Sequence, residues 1–290
     1  MTPIAETDLI LNADGSVYHL NLMPGDVADT VITVGDPDRV AEVSKYFDYI
    51  ELKKGKREFI THTGTISGKR ITVLSTGIGT DNIDIVFNEL DALVNIDLKT
   101  RTVNPHLRSL NIIRIGTSGA VQKDIEIDTL LLSSAAIGLD PLMHYYLQNS
   151  GKNEQALLDA FKQALPDTNL SPYIASAGQA LLAALSDNER QGITITAPGF
   201  YSPQGRQVRA VAAVPNLMKA VQQFNFNGQR ITNLEMETAG IYGLAAALGH
   251  QAVSCNIILA NRATQVFSKQ PGTIMDYYIR HILEKLYVLR

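Results

Sequence analysis

The sequence predicts an α/β fold, with a central mixed, twisted β-sheet flanked by α-helices, in a single domain over residues 1–290. Three observations carry this expectation. Short β-branched runs at 30–34 and 111–115 have the composition of buried strands, and each stops at a glycine. Glycine turns at Gly35 and at 77–79 lead into segments with apolar residues at helical spacing. No repeat, low-complexity tract or linker divides the 290 residues, a length that suits one large domain or two small ones.

Hydrophobic residues make up 45% of the chain and charged residues 19%, with no apolar run of transmembrane length. A globular protein with no membrane partner is therefore expected. The start, MTPIAETDLI, has no basic segment before an apolar core, so no secretory signal is expected. Cys255 is the only cysteine, which rules out an intrachain disulfide and a cysteine-built metal site and fits a cytoplasmic protein. The net charge of −4 argues against polymeric nucleic acid as a partner, but leaves room for local arginines facing a small anion.

Residues 1–30 read as irregular, with a turn at 12–15. His19, in YHLNL, reads by itself as a surface or packing residue. The strand at 30–34 stops at GDPDR (35–39), and 40–46 reads as a helix. Gly35 and Arg39 then form a strand–turn–helix cradle for an anion, or a plain turn with Arg39 solvated. The basic run at 53–59, with Arg57 and Glu58, reads as a solvated face. Residues 61–66 and 70–75 read as a hairpin about Ser67 and Gly68. After the break at 76–79, Ile83, Val86, Phe87, Leu90 and Leu93 mark the buried face of a helix over 82–94. Residues 95–110 are polar and basic and read as a surface excursion.

The segment NIIRIGTSGA (111–120) is expected as a buried strand that breaks at Gly116 into a small-residue loop over 116–119. Such a loop brings backbone N–H groups and the hydroxyls of Thr117 and Ser118 to an anion, and Arg114 adds a planar, permanently charged fork. A buried strand ending in a tight turn accounts for the same residues. Residues 128–136 read as another strand, and 153–165 and 175–186 as amphipathic helices. Pro166 and Pro172 bracket a loop or short strand between them. The strand at 193–196 opens onto PGFYSPQGR (198–206). There Phe200 offers an aromatic face, while Gln204 and Arg206 offer an amide and a guanidinium that read the edge of a planar ring. An ordinary aromatic-anchored loop is the alternative. Glu235 and Glu237, two apart before an alanine-rich helix that Gly249 caps, suit a helix cap, a pair of vicinal hydroxyls or a developing positive charge. The last strand, 253–260, is followed directly by Asn261 and Arg262, and a closing helix is expected over 273–289.

Several of these polar groups follow strands, where ligands collect in open α/β sheets. Taken together, GDPDR at 35–39, KREF at 56–59, STGIG at 75–79, RIGTSGA at 114–120, FYSPQGR at 200–206, EMET at 235–238 and NR at 261–262 resemble the nucleoside phosphorylase superfamily, and within it the uridine phosphorylases. Each motif is short, but seven in register from about His19 to the final helix are specific. The resemblance implies reversible phosphorolysis: nucleoside and orthophosphate give free base and ribose 1-phosphate, with no organic cofactor. It places Gly35, Arg39, Arg114 and Thr117 at the phosphate, together with Arg57 lent by a neighbouring subunit. His19, also from a neighbour, would meet the ribose 5′-hydroxyl, so the irregular N-terminal segment would serve another subunit's site. Met236 and Glu237 would hold the ribose, with Glu235 in the same motif. Phe200, Gln204 and Arg206 would take the base, with Arg262 behind Arg206. A homo-oligomer follows from this, a dimer at least and a hexamer of three dimers by resemblance.

Three departures from the family's pattern accompany the match. Pro203 stands where the family has a glycine, the 95–110 connection is longer than in bacterial uridine phosphorylases, and Asn82 stands where the family has a serine. The last bears on a candidate potassium site at Glu58, Ile78 and Asn82, where asparagine still offers a carbonyl oxygen. The alternatives are a purine nucleoside phosphorylase, a nucleoside hydrolase of the same fold and a non-catalytic nucleoside-binding protein. A purine enzyme would carry an aspartate near Asn261 and Arg262, and a hydrolase would not need the arginines.

Overall fold

A computed structural model describes residues 2–165, 168–187 and 189–288, the Val288 side chain excepted. Pro166 and residue 289, the expected end of the closing helix, lie outside the described residues. The chain enters the sheet at β1 (Thr30–Val34), whose five residues are all buried, and turns at Gly35 into α1 (Asp38–Ser44). An antiparallel meander follows: β2 (Tyr49–Lys56), β3 (Phe59–Ile66) and β4 (Lys69–Ser75). The basic run is thus mostly strand. It lies in β2 at the sheet's edge, alternating exposed and half-buried residues, as befits an edge that must not pair further. The expected helix is α2 (Thr80–Asn95), with the anticipated apolar face buried. The excursion at 95–110, expected as a plain loop, carries a two-stranded hairpin, β5 (Ile96–Asp97) with β6 (Thr102–Val103).

β7 (Asn111–Ala120) differs from expectation. The strand does not end at Gly116 but runs through the presumed loop. Its first residues pair with β1, and pairing with a later strand carries 116–120 onward in extended form, overriding the turn-like composition of GTSG. β8 (Leu130–Gly138) leads to a 3-10 turn at Leu142–Tyr145 and to α3 (Lys152–Ala164). The helix expected over 175–186 is instead β9 (Tyr173–Ser176) followed by α4 (Gln179–Leu185). Tyr173 to Ser176 pair antiparallel with β8, so only the residues after Gly178 are free to coil. β10 (Arg190–Thr196), α5 (Leu217–Gln223), β11 (Ile231–Glu235) and α6 (Thr238–Leu248) follow. Gly249 ends α6 in the left-handed conformation at φ 79°, as its glycine suggested. β12 (Gln251–Asn261), β13 (Val266–Phe267) and α7 (Pro271–Val288) complete the chain.

Among the described residues, eleven strands form one mixed sheet. Part of it closes on itself. β7 pairs parallel with β12, β12 antiparallel with β8, β8 parallel with β10, β10 parallel with β11, and β11 antiparallel with β7. Inside this ring runs a belt of buried side-chain hydrogen bonds. Arg114 donates to Asn256 Oδ1 (3.1 Å), Asn256 to Ser133 (2.8 Å), and Ser133 meets Thr194 at 2.5 Å. Thr194 donates to Asn233 Oδ1 (2.9 Å), and Asn233 donates to Ser118 (3.0 Å), back on β7. Every strand of the ring contributes, and each polar group finds a partner that offsets its desolvation. The apolar core lies outside the ring, where α2, α6 and α7 bury residues such as Phe87, Tyr242 and Ile279. Cys255 is buried there, and burial pushes its thiol up to about 12.

Candidate active site

Ring strands β7, β11 and β12 line a cavity of about 730 Å³. Gly35 and Arg39 reach it from the β1–α1 turn; Glu58, Ile78 and Asn82 reach it from the turn after β2 and the start of α2. Arg114 and Thr117 come from β7, Phe200, Gln204 and Arg206 from the loop after β10, and Glu235, Met236 and Glu237 from the β11–α6 junction. Ser118, Leu234, Leu259, Ala260 and Phe267 also line it. Leu234, Leu259 and Ala260 sit in apolar strand sequence that cannot be told from core by composition.

Arg39 has its Nε buried without an acceptor among the described residues. Burial pushes its pKa down, against the attraction of Asp36 and Glu42. A guanidinium held in a cavity without a carboxylate partner calls for an anionic ligand.

Arg114 is placed otherwise. Its Nη2 donates to Glu237 Oε2 at 2.7 Å and lies 3.2 Å from Glu235 Oε2, and its Nη1 serves Asn256 and, at 3.4 Å, Ser254. The side chain folds back over Gly116, where an added Cβ would lie 2.1 Å from Nη1. Glu237 also accepts the Gly79 N–H at 2.9 Å. Burial raises the pKa of Glu237, helped by the like charge of Glu235 and opposed by Arg114. Glu235 is held by the chain around it: Thr196 donates at 2.6 Å, and the N–H groups of Glu237 and Thr238 each donate at 2.9 Å to Oε2. That is the helix-capping role, combined with an anchor for Arg114.

The loop after β10 is tightly built. Gln204 is almost fully buried, in a 3-10 turn (Ser202–Gln204) closed by Gly205 at φ 67°. Pro203 packs on Gly199, where an added Cβ would approach its Cγ to 3.0 Å. Arg206 lies 3.9 Å over the Phe200 ring and donates to Gln204 Oε1 at 2.6 Å and to Phe200 O at 2.7 Å. With Oε1 thus engaged, the Gln204 amide N–H groups are left for a ligand. Arg262 sits behind, outside the cavity lining, and braces the turn by donating to the Gln204 carbonyl at 3.0 Å. Burial, and then the nearby Arg262, lower the pKa of Arg206.

His19 and Arg57 do not line this cavity. The fold brings their segments together elsewhere: Phe59, two residues beyond Arg57, packs edge-on against His19, and Lys56 lies 4.2 Å over the Tyr18 ring. Glu58 and Asn82 converge on the turn at Gly77, where an added Cβ would lie 3.1 Å from Glu58 Cγ and 2.4 Å from the Asn82 amide. Among the described residues no group of three or more His, Cys, Asp or Glu side chains is placed to hold a metal ion. No helix among them is long and apolar enough to cross a membrane.

Known proteins resemble this chain over most of its length. A uridine phosphorylase of Thermococcus kodakarensis is 32% identical over 259 residues, covering 88% of this chain and 81% of that protein. A purine nucleoside phosphorylase DeoD-type of Proteus mirabilis is 27% identical over 274 residues, covering 93% and 98%. The crystal structure of a Trypanosoma brucei nucleoside phosphorylase, described as showing uridine phosphorylase activity, superposes with a TM-score of 0.88 at 30% identity, covering 97% of this chain and 99% of that one. A family model described as Phosphorylase superfamily matches residues 29–272, and the chain belongs to that family.

Proposed function

We propose that the protein is a uridine phosphorylase, a pentosyltransferase that converts uridine and orthophosphate reversibly into uracil and ribose 1-phosphate. The observation that carries this reading is one cavity holding Arg39, whose buried Nε has no acceptor among the described residues, beside a buried carboxylate–guanidinium pair, Glu237–Arg114, and an amide–guanidinium pair, Gln204–Arg206. The names of the relatives at 32% and 30% identity support the same substrate.

In this reading Gly35, Arg39 and Thr117 hold the phosphate, with Arg114 beneath it and Arg57 supplied by a neighbouring subunit. Glu237 takes the vicinal ribose hydroxyls beside Met236, on lone pairs not used by the Gly79 N–H and Arg114. Cleavage of the N-glycosidic bond makes C1′ cation-like and the departing base anionic. The phosphate dianion attacks C1′ and offsets the sugar's charge, while Gln204 and Arg206 grip the base more strongly as it becomes negative. Positioning of this kind supplies roughly 7–11 kcal/mol when geometry is near ideal. No side-chain nucleophile is required.

A pyrimidine is favoured over a purine by Asn261. Its amide donates to Gln122 O and Ile125 O, and its Oδ1 accepts from Ala263 and Thr264, so it has no proton to give a leaving purine. His19 and Arg57, neither of which lines the cavity of its own chain, support a shared site, with a dimer as the smallest active unit and a hexamer of three dimers as the assembly. Glu58, Ile78 and Asn82 offer a carboxylate, a main-chain carbonyl and an amide at the Gly77 turn, a set that suits a potassium ion tying subunits together once the Asn82 amide, whose Nδ2 faces Gly77, turns its oxygen inward. A cytoplasmic place in pyrimidine nucleoside salvage belongs to the same reading, as does a single domain.

The test is uridine turnover with and without orthophosphate, followed by uracil release. Phosphate-dependent release with ribose 1-phosphate as co-product is expected. Turnover without phosphate would mean a hydrolase, inosine turnover alone a purine enzyme, and no turnover of either a binding protein.

A further inference from the structure

Glu89 sits on the core side of α2, one of the few charged side chains buried to that degree, and all of its contacts go to one place. Oε1 accepts the backbone N–H of His19 at 2.9 Å, and Oε2 accepts that of Leu20 at 2.8 Å. Oε1 also meets the Nδ1 of the His19 ring at 2.6 Å. Both carboxylate oxygens are therefore acceptors of main-chain N–H groups, and the ring nitrogen facing them is the donor. A neutral imidazole with its proton on Nδ1 has a lone pair on Nε2. Tyr18, edge-on at 4.8 Å, and Phe59, at 6.4 Å, fix the plane of the ring, and Nε2 has no partner among the described residues.

We infer that Glu89 is a positioning residue for the nucleoside: it holds His19 in the tautomer whose Nε2 accepts a hydrogen bond from the 5′-hydroxyl of a nucleoside in the neighbouring subunit's cavity. This rests on the phosphorolysis reading above and adds to it the direction of that hydrogen bond, with the substrate hydroxyl donating. The geometry has a second element. The N-terminal segment is clasped to the β5–β6 hairpin, where Ile4 N–H donates to Arg101 O at 2.8 Å and the Arg101 side chain donates to Leu9 O at 2.5 Å. The helix bearing Glu89 and the hairpin that follows it thus hold the same segment at two points.

Two measurements test the inference. In the first, Glu89→Gln is compared with the wild type on uridine and on 5′-deoxyuridine. The variant is expected to lose about tenfold in kcat/KM on uridine, mostly through KM, and to stay within about twofold on 5′-deoxyuridine. Equal losses on both substrates would overturn the inference, because a merely structural role cannot sense the 5′ oxygen. In the second, ¹⁵N NMR of the histidine rings in the wild-type protein near pH 8, with His19 assigned by loss of its signal in His19→Asn, reads the tautomer without substrate. A proton on Nδ1 and a bare Nε2 are expected; the reverse would overturn the inference even if Glu89→Gln does not fold. If the wild type turns over neither nucleoside, the phosphorolysis reading fails and takes the role of His19 with it, whatever the tautomer.

Discussion

The guanidinium of Arg114 occupies the space that a side chain at Gly116 would fill. A Cβ built at 116 would lie 2.1, 2.3 and 2.6 Å from Nη1, Cζ and Nη2. The glycine is there to admit the arginine, and the arginine holds Glu237. Gly116→Ala is therefore expected to cost at least tenfold in kcat/KM by dislodging Arg114, together with an overpacking loss of about 1–3 kcal/mol. Arg114→Ala should lose at least as much activity. Steady-state kinetics and urea unfolding of both variants check this, and native kinetics in Gly116→Ala would refute the steric argument.

Arg39 has the opposite character: among the described residues it makes no ion pair, and Asp36 and Glu42 attract it only at longer range. Arg39→Met should leave thermal stability unchanged or raised, since a poorly compensated cation is replaced by an apolar chain. Loss of a charge-assisted contact of about 1.5–3 kcal/mol should raise the KM for phosphate tenfold or more. Orthophosphate should raise the melting temperature of the wild type but not of the variant. A variant with unchanged phosphate dependence would place the anion elsewhere.

If Arg57 acts in a neighbour's cavity, Arg39→Met and Arg57→Ala are each impaired in phosphate use for different reasons and complement each other. Mixed oligomers, reassembled from the two, contain sites with a native Arg39 and a native Arg57, because each partner supplies what the other lacks. Partial recovery of uridine turnover on mixing is expected, measured against each variant alone. No recovery in verified mixed oligomers would confine Arg57 to its own subunit.

Acid should weaken the attachment of α7. Burial acts to raise the Glu189 carboxyl, but hydrogen bonds from Lys285 and His281 overcome it and hold the group at about 2, against 4.5 ordinarily. The unfolded chain takes up this proton first. The stabilisation is therefore complete above about pH 5 and fades as the pH falls through 4.5 toward 2, amounting to at most about 3 kcal/mol. Urea unfolding at pH 6 and pH 3.5 should show a shallower acid loss in Glu189→Gln than in the wild type. An identical loss in both would remove Glu189 from the acid response.

Sequence reading succeeded where local chemistry and long-range pairing agree. The β-branched run at 30–34, the helical spacing of Ile83 to Leu93 and the capping glycine at 249 need no distant information, and the structure shows each in place. It failed where a distant partner decides. Gly116 to Gly119 have the composition of a loop, yet β12 pairs with them as a strand. Residues 173–176 share their apolar character with the helix that follows, and only β8 separates the two. The candidate site was legible where charged or glycine-rich residues follow strands, and the cavity gathers most of them. Leu259 and Phe267 were silent because an apolar wall and an apolar core use the same residues. Glu89 did leave a signal: an acid on the buried side of an otherwise apolar helix face, between Phe87 and Leu90.

The closed ring of five strands and the loop after β10 support the cavity in different ways. Its belt of hydrogen bonds passes through every strand and ends on β7 at Arg114 and Ser118, so the floor of the cavity behaves as a single block. The loop at 198–206, in contrast, follows β10 and is held by Arg262, which donates to the carbonyls of Gln204 and Gly205, and by Met218 of α5 packed on Gly205. The loop at 198–206 and the strand block therefore face one cavity from separate supports.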